Sequence, residues 1–284
     1  MTILITGSTG AFGRLFSKWW ERHAREEIIL TGRTNLSRDG YVQCDMKRPE
    51  EIRALITQVQ PRLVFHLAGS FANDYEQNYM VNVTSAKSIF DTLLKENLSA
   101  RVVLFGSAAE YGAVTPKENP IQEDHALRPV SAYGLTKAYQ TQLAYYYAHN
   151  HNIDVVVTRI FNLLIPGLSS RLFVGRVEHM INQIKQGETD VIELGNLESM
   201  RDYVTGEEAI KQINRIAKHG QSGGVYHVGS GRPIKMKELL NKMLKDANLD
   251  WSVVRTMDKG GTHVGYDVPI IYANMDKTNA LFEG

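Results

Sequence analysis

The sequence is poor in cysteine and has no long apolar run. Cys44 is the only cysteine among 284 residues, so an intrachain disulfide is excluded and a reduced, cytoplasmic location is expected. No apolar stretch approaches the ~18 residues that a membrane-spanning helix needs. Met1 runs straight into TILIT, without the basic segment and small-residue cleavage site of a signal peptide. These absences predict a cytoplasmic protein that makes no membrane contact.

An excess of charge of one sign is also lacking. The 32 Lys and Arg residues nearly balance the 31 Asp and Glu residues, which leaves a formal net charge of +1. Because no basic tract could follow a phosphate backbone, we expect no nucleic-acid partner. Hydrophobic residues make up 43% of the chain and charged residues 22%, as is typical of a globular protein with a sizeable core.

Short β-branched runs alternate with longer amphipathic segments. The runs are TILIT (2–6), EIIL (27–30), RLVFHLA (62–68), RVVLFG (101–106) and DVVVTRI (154–160). This alternation predicts an α/β protein whose parallel sheet is covered by helices on both faces. After about residue 161 the pattern loosens into a helix at 172–186, a short strand at 190–194 and helices near 206–219 and 235–247. A smaller C-terminal region over the carboxyl edge of the sheet is therefore expected.

The segment TGSTGAFG follows the first run directly and opens a helix that extends to about His23. Glycines allow the backbone to turn tightly and to approach a pyrophosphate, which binds at the helix N-terminus. A strand before the glycines and a helix after them predict a dinucleotide-binding loop. The residues expected to bind the dinucleotide in this loop are Gly7, Thr9, Gly10, Ala11, Phe12 and Gly13.

The residue after the second strand indicates which dinucleotide binds. NAD sites usually place Asp or Glu there to accept from the ribose 2′-hydroxyl. This chain has Arg33, which can pair with a 2′-phosphate, with Arg14 or Arg38 assisting. The sequence therefore favours NADP(H), with NAD(H) as the alternative. Asp45 is placed to reach the adenine amino group, or else to cap the helix that begins near Pro49.

Tyr133 stands four residues before Lys137 in SAYGLTK. On a helix this spacing places both side chains on one face, a turn apart. A Lys⁺ held near a phenol lowers its pKa from about 10 toward a range in which it can exchange protons at neutral pH. The same spacing also arises by chance in helices, so the pair alone leaves a catalytic and a structural interpretation open.

Five motifs in order carry a resemblance to a known family. They are TGSTGAFG, HLAG (66–69), GSAAEYG (106–112), SAYGLTK and RDYV (201–204). With them the chain resembles the extended short-chain dehydrogenases/reductases over essentially its whole length. The resemblance implies a Rossmann-type doubly wound sheet formed by 1–165, to which 203–230 returns. It also implies a smaller substrate-binding domain formed by 166–202 and 231–284.

The resemblance further implies a nucleotide-sugar substrate, a homodimer and a catalytic set of Ser107, Tyr133 and Lys137. In such a set Ser107 holds the substrate oxygen and Tyr133 exchanges the proton, while the nicotinamide exchanges the hydride and Lys137 also bonds its ribose. Further cofactor contacts are expected from Met46, Leu67, Ala68, Gly69 and Asn82. Substrate contacts are expected from Ser107, Ala108, Ala109, Asn162 and Arg201.

The loop that contains Ser107 restricts which reactions of the family are expected. Sugar-nucleotide 4,6-dehydratases resemble this chain but carry an acid where it has Ala108 and Ala109, and Glu110 is displaced by one residue. A 4-ketoreductase or a 4-epimerase with tightly bound NAD is therefore expected, and Arg33 favours the reductase. A non-catalytic dinucleotide sensor is a third interpretation, which has no need of an intact catalytic set.

The longer motifs resemble most closely the GDP-4-keto-6-deoxymannose reductases. They are GSAAEYG, LRPVSAYGLTKAYQ, TRIFNLLIPG and GNLESMRDYV. By this resemblance Asn162 and Arg201 hold the pyrophosphate and nearby sugar atoms, unless Arg201 instead pairs with Asp202 or Glu198.

Two segments depart from the pattern of these reductases. Ile165-Pro166-Gly167 replaces Gly-Pro-Gly, and HVGY (263–266) lacks the arginine expected ahead of Asp267. The base, GDP against dTDP, CDP or UDP, therefore stays open. No metal is expected, since His149 and His151 lack a third ligand.

Overall fold

The structure is a computed structural model that describes residues 2–256 and 268–283. The segment HVGY at 263–266 and Asp267, which the resemblance connects with the choice of base, lie outside the described residues.

One parallel sheet organises the molecule. The strands are, in chain order, β1 (Thr2–Thr6), β2 (Glu27–Gly32), β3 (Tyr41–Gln43), β4 (Leu63–His66), β5 (Arg101–Ser107), β6 (Val155–Ile160), β7 (Asn162–Leu164), β8 (Ile192–Leu194), β9 (Met200–Thr205), β10 (Val225–Val228), β11 (Pro233–Lys235), β12 (Val254–Thr256) and β13 (Ile270–Ile271). Seven of them form a sheet in the order β3–β2–β1–β4–β5–β6–β10. Every neighbouring pair is parallel. The α/β prediction with a Rossmann-type sheet is confirmed.

Helices cover both faces of this sheet. They are α1 (Ala11–His23), α2 (Pro49–Val59), α3 (Tyr75–Tyr79), α4 (Ser85–Lys95), α5 (Ala132–His151), α6 (Phe173–Lys185), α7 (Gly206–His219), α8 (Met236–Asp246) and α9 (Asp276–Asn279). Side chains alternate between faces along a strand, so in β1 Leu4 packs beneath α2, α4 and α5. Ile3 and Ile5 pack on the other face, beneath α1 and α7. The two apolar layers hold the carboxyl ends of the strands at one level.

The C-terminal half contributes to both the central sheet and a smaller region. β10 pairs with β6 at the edge of the sheet, and α7 packs into the same core as α1. Between and after these elements, β11, β9 and β13 form a small sheet that β7 joins through β9, and β12 pairs with β8. A separate apolar cluster holds α6 and α8 together. No helix in the described ranges is long and apolar enough to cross a membrane.

Parallel pairing brings several strand ends to one edge. The glycine loop follows β1, Arg33 follows β2, Leu67 follows β4 and Ser107 ends β5. Ligands of open α/β sheets bind outside the carboxyl ends of the strands. The residues predicted to bind cofactor therefore share one side of the molecule.

Candidate active site

The loop between β1 and α1 is shaped by its glycines. Gly7 has a φ of +67°, and a Cβ on it would lie 2.7 Å from the backbone nitrogen of Ala68, so only glycine fits there. A Cβ on Gly13 would lie 2.1 Å from the Gly7 carbonyl oxygen, which shows how closely α1 approaches the loop. Gly10 is the N-cap of α1, with no side-chain cap and no acid in the first turn among the described residues. The N-terminus of α1 therefore offers N–H groups and a positive dipole end to an anion.

A groove runs along the carboxyl edge of the sheet from this loop. It is lined by predicted cofactor residues, namely Gly7, Thr9, Gly10, Arg33, Asp45, Met46, Leu67, Ala68 and Gly69. Residues that were not predicted also line it, namely Gly32, Cys44, Lys47, Ser70, Gln77 and Val81. Gln77 and Val81 stand four residues apart in a helical segment, and this one-face spacing is the sequence signal that could have found them.

Ala11, Phe12 and Gly13 occupy the first turn of α1 behind the groove. The Phe12 ring points into the core, where it contacts the rings of Phe16 and Phe105 at centroid distances of 5.8 and 6.3 Å. A contact between Phe12 and an anion is therefore restricted to its backbone N–H.

Arg33 is exposed at the end of the groove where β2 finishes. It also lines an adjoining hollow with Asp45 and Arg48. Arg48 is the N-cap of α2, while Asp45 Oδ1 accepts from the backbone N–H of Lys47 at 3.0 Å. Asp45 therefore does not cap α2, and its side chain remains at the groove.

The two arginines expected to assist Arg33 have other contacts. Arg38 forms an ion pair with Glu21 on α1. Arg14 Nη1 donates to the Thr9 carbonyl oxygen at 2.6 Å, so it lies beside the glycine loop. The structure brings Arg14, and not Arg38, to the phosphate-binding loop.

Asn82 is fully buried and its amide binds protein atoms. Its Oδ1 accepts from the Ser70 backbone N–H at 2.8 Å, and its Nδ2 donates to the Ser70 carbonyl at 2.9 Å and to Thr136 Oγ1 at 3.0 Å. Asn82 therefore ties the loop after Gly69 to α5, and these contacts support the groove from below.

Ser107 and Tyr133 meet at the carboxyl end of β5. Tyr133 lies in the first turn of α5, whose N-terminus is capped by Ser131 Oγ, which accepts from the Gly134 N–H at 3.0 Å. Ser107 lies close enough to Tyr133 for its hydroxyl to lower the pKa of the phenol. Two elements distant in sequence thus bring a hydroxyl and a phenol together beside the groove.

Lys137 lies one turn further along α5 and is buried. Its Nζ donates to the Phe105 carbonyl at 2.6 Å and to Gln140 Oε1 at 2.8 Å. A Cβ on Gly69 would lie 3.6 Å from Nζ, so the ammonium approaches the groove at Gly69. This is the position from which Lys137 could reach a ribose bound in the groove.

The prediction that Lys137 lowers the pKa of Tyr133 is wrong for this structure. Burial raises the pKa of the phenol, the hydrogen bond from Ser107 lowers it, and the charge of Glu110 raises it again. Lys137 is not among the groups that shift this pKa, and its Nζ donates to the Phe105 carbonyl and Gln140. Burial lowers the pKa of Lys137 to about 8. At neutral pH the phenol therefore keeps its proton and the amine is mostly charged.

A family model described as the NAD dependent epimerase/dehydratase family matches residues 3–229, most of the chain. The chain belongs to this family. It is therefore an NAD(P)-dependent enzyme, and the resemblance inferred from the five motifs is confirmed.

Relatives within the family act on nucleotide sugars by different reactions. GDP-6-deoxy-D-mannose reductase of Pseudomonas aeruginosa is 24% identical over 217 residues, which cover 74% of this chain and 71% of the relative. The structure of RMD from Pseudomonas aeruginosa complexed with NADPH has a TM-score of 0.84 at 20% identity and covers 99% of this chain and 91% of that one. The UDP-glucose 4-epimerase of Thermus thermophilus complexed with NAD has a TM-score of 0.84 at 19% identity and covers 99% and 92%.

Other relatives in the family are dehydrogenases and 4,6-dehydratases of nucleotide sugars. Family membership therefore does not specify which of these reactions the chain catalyses.

The position of Glu110 decides whether this site has an acid for the elimination step of a dehydratase. Its carboxylate is fully buried and pairs with Arg159 at 2.8 Å, and Arg159 itself is buried. Since this carboxylate points away from solvent into an ion pair, it is not available to remove a proton from a bound sugar. Ala108 and Ala109 complete the turn and carry no acid.

The predicted substrate residues of the C-terminal half lie on neighbouring strands. Asn162 begins β7 and Arg201 lies in β9, and β7 pairs with β9. Asn162 Nδ2 donates to the Asp202 carbonyl at 3.0 Å, and Arg201 Nη1 donates to the Met200 carbonyl at 2.9 Å. Both side chains are half-buried. The described residues contain no group of three or more His, Cys, Asp or Glu side chains that could hold a metal ion.

Proposed function

We propose that this protein reduces the C4 ketone of a nucleotide-linked 4-keto-6-deoxyhexose, with NADPH as the hydride donor, to give a nucleotide-linked 6-deoxysugar. The observation that carries the proposal is the approach of Ser107, at the carboxyl end of β5, to Tyr133, a phenol whose pKa is raised by burial. Reduction of a ketone requires a proton for the new alcohol oxygen, and a phenol with a raised pKa retains the proton that it must donate.

The chain's residues have separate roles in this proposal. A nicotinamide bound in the groove supplies the hydride. Ser107 holds the ketone oxygen toward Tyr133, and Tyr133 donates the proton to that oxygen. Lys137 places its ammonium beside Gly69, where the nicotinamide ribose is expected to bind. Asn162 and Arg201 are proposed to hold the pyrophosphate and sugar of the substrate.

Two features support a reductase over other reactions of the family. The burial of Glu110 against Arg159 leaves the turn without an acid for elimination of water. Arg33 at the end of β2 suits the 2′-phosphate of NADPH, a cofactor that a net reduction consumes. A 4-epimerase instead recycles a retained NAD.

The reaction is tested by mixing the purified protein with NADPH and 4-keto-6-deoxysugars linked to GDP, dTDP, CDP or UDP. We expect NADPH absorbance to fall with at least one of them, and NMR of the product to show an alcohol at C4. NAD that stays bound through gel filtration, together with interconversion of nucleotide sugars without NADPH, would identify an epimerase instead. Absence of turnover with all four bases contradicts the proposal.

The preference for NADPH is tested at Arg33. Loss of a hydrogen bond to a charged group costs about 1.5–3 kcal/mol, so Arg33→Gln is expected to weaken NADPH binding roughly 10- to 100-fold and to leave NADH binding unchanged. Arg25→Gln is a matched control, because Arg25 is also exposed but lies at the opposite end of β2. Fluorescence titration gives both dissociation constants. Equal weakening of NADPH and NADH in Arg33→Gln would show that the side chain does not contact the 2′-phosphate.

We also propose a homodimer formed through α3 and α5. Tyr75, Tyr79 and Tyr139 are exposed and their rings contact one another at centroid distances of 5.9 and 6.5 Å. An exposed aromatic cluster on two neighbouring helices suits burial against a second copy. Sedimentation velocity measures this assembly directly.

A further inference from the structure

We propose that Glu110 is a positioning residue for the reaction: paired with Arg159 below the turn after β5, it holds Ser107 toward Tyr133 and places a buried negative charge beside Lys137. The inference depends on the proposed function only for its activity measurement.

The carboxylate of Glu110 is saturated with donors from three directions. Its Oε1 accepts from the Ser107 backbone N–H at 2.7 Å. Its Oε2 accepts from Thr141 Oγ1 at 2.7 Å and from Arg159 Nη2 and Nε at 2.8 and 3.1 Å. Glu110 therefore joins the end of β5, the second turn of α5 beyond Tyr133 and the strand β6 at one point.

The turn that Glu110 closes is tightly enclosed. A Cβ on Gly106 would lie 2.7 Å from Glu110 Oε1, and a Cβ on Gly134 would lie 2.3 Å from the Ala109 carbonyl. The Ser107 hydroxyl also accepts from the Ala109 N–H at 3.2 Å. Because the turn is held from the strand side by Glu110 and from the helix side by Gly134, Glu110 fixes where Ser107 meets the phenol.

The electrostatic role follows from the partners of Lys137. Its ammonium is 4% exposed and bonds only the neutral acceptors Phe105 and Gln140 among the described residues. Burial lowers the pKa of Lys137, and the charge of Glu110 raises it. The same charge raises the pKa of Tyr133. Glu110 therefore favours the protonated form of both residues, and these are the forms that reduction requires.

No other charged or titratable group around this cluster, among the described residues, supplies the negative charge that Glu110 places near Lys137 and Tyr133. The surrounding groups are Arg159 from β6, Tyr111 from the turn, Tyr133 and Lys137 from α5, and His66 from β4, with Glu123 and His227 behind Tyr111. His66 has its pKa lowered to about 3 and stays neutral. The charge of Glu123 raises the pKa of Tyr111 and its Oε1 accepts from the His227 backbone N–H at 3.2 Å, but it shifts the pKa of neither Tyr133 nor Lys137.

The first test measures Lys137 directly and needs no substrate. Lysines labelled with ¹³C at Cε are titrated by NMR in the full chain, and Lys137→Met assigns the signal. Glu110→Gln keeps an oxygen for the Ser107 N–H but removes the charge, so the titration of Lys137 is expected to move to lower pH by about one unit, the effect of a neighbouring charge. An unchanged titration in a folded Glu110→Gln protein overturns the inference.

A matched control tests whether the effect is specific to Glu110, and a second variant is used if Glu110→Gln does not fold. Glu118→Gln alters the same kind of contact elsewhere, because Glu118 closes a capping box with Thr115 and pairs with Arg128. It is expected to leave Lys137 unchanged, and an equal shift there would refute a specific role of Glu110. Should Glu110→Gln fail to fold, Glu110→Gln combined with Arg159→Gln leaves no unpaired buried guanidinium. A smaller shift in the same direction is expected in that protein, because the opposing charge of Arg159 is removed as well, and a Lys137 titration that does not move to lower pH also overturns the inference.

The activity measurement separates positioning from a purely structural role. In Glu110→Gln we expect kcat for ketone reduction to fall roughly 10-fold with KM for NADPH unchanged, and the alkaline limb of the pH profile to move to lower pH because Tyr133 loses its proton earlier. A lower rate with an unmoved limb contradicts the inference. If Lys137 shifts but no ketosugar nucleotide is reduced by the wild type, the proposed function fails and the role of Glu110 stands.

Discussion

The phenol of Tyr133 lies where burial outweighs its hydrogen bond with Ser107, so its pKa is raised above the ordinary value of 10.0. A general acid must hold its proton until the transition state, and a raised pKa secures this at neutral pH. The ammonium of Lys137 lies near Gly69 and donates to the Phe105 carbonyl and to Gln140. In the proposed reaction Tyr133 therefore donates the proton and Lys137 orients the cofactor.

Tyr133→Phe removes the only group proposed to donate the proton, so kcat is expected to fall by about 10²- to 10⁴-fold. Ser107→Ala removes a hydrogen bond to the ketone but leaves the donor, and is expected to cost less, roughly 10²-fold. NADPH affinity, measured by fluorescence titration, should change little in both. Tyr139→Phe is the control, since Tyr139 is exposed on the same helix. Equal losses in Tyr133→Phe and Tyr139→Phe would exclude a special role for the phenol.

The placement of Tyr133 and Lys137 on one helix could be predicted from their spacing, whereas their electrostatics could not. SAYGLTK places Tyr133 and Lys137 on one helix face because the helical period is a local property. The direction of the Tyr133 pKa shift depends on burial and on Glu110, which is brought near by the fold. The partners of Lys137 include a carbonyl 32 residues away in sequence, and no local pattern reports such a contact.

At the scale of elements, the approach of α5 to the turn after β5 decides the geometry of the site. Ser131 caps α5, and the absence of a side chain at Gly134 allows the Ala109 carbonyl to approach the helix. The N-terminus of α5 is thereby held against the turn that carries Ser107.

Gly134→Ala would place a Cβ 2.3 Å from the Ala109 carbonyl oxygen, so the helix and the turn must separate. We expect a loss of about 1–3 kcal/mol in the free energy of unfolding, the usual cost of overpacking, and a lower kcat. Gly195→Ala is the matched control, because a Cβ there meets no atom within 4 Å. Urea unfolding and steady-state kinetics measure both effects. Wild-type stability in Gly134→Ala would show that the turn can move without cost.

The long elements and the short strand β8, within the predicted 190–194, could be predicted from the sequence, whereas other short strands could not. β1 has the predicted bounds because it is a continuous apolar run, and α7 matches the predicted helix near 206–219 because it carries a clear helical period. The three-residue strands β3 and β7 are too short to show alternation. They form because β2 and β9 offer them backbone partners, and that pairing belongs to the tertiary structure.

Over the whole molecule, two buried histidines link stability to pH. His66 and His227 are fully buried, and burial lowers the pKa of each from 6.5 to about 3. The ring nitrogens of His66 lie 2.9 and 2.8 Å from the hydroxyls of Thr6 and Ser85 and so are satisfied in the neutral form. Unfolding exposes both imidazoles to water, where they regain their ordinary affinity for protons.

Between pH 6.5 and about 3 the unfolded chain binds more protons than the folded one. The contribution of the two neutral histidines to the free energy of unfolding is therefore fully present above pH 6.5 and is lost as the pH falls. We expect the free energy of unfolding in urea to decrease by up to about 1.4 kcal/mol per pH unit for each histidine within this range. A free energy that stays constant from about pH 6.5 to about pH 4 would contradict the linkage.

The position of β10 at the edge of the sheet affects how the chain is made. While the ribosome synthesises the first half, β6 has no outer neighbour, because its partner β10 emerges later, after α6, β8, β9 and α7. One face of the nascent sheet likewise stays partly uncovered until α7 has been synthesised. An uncovered apolar strand invites pairing with other chains, so a transcript truncated before residue 225 would yield a polypeptide prone to aggregate and dependent on chaperones.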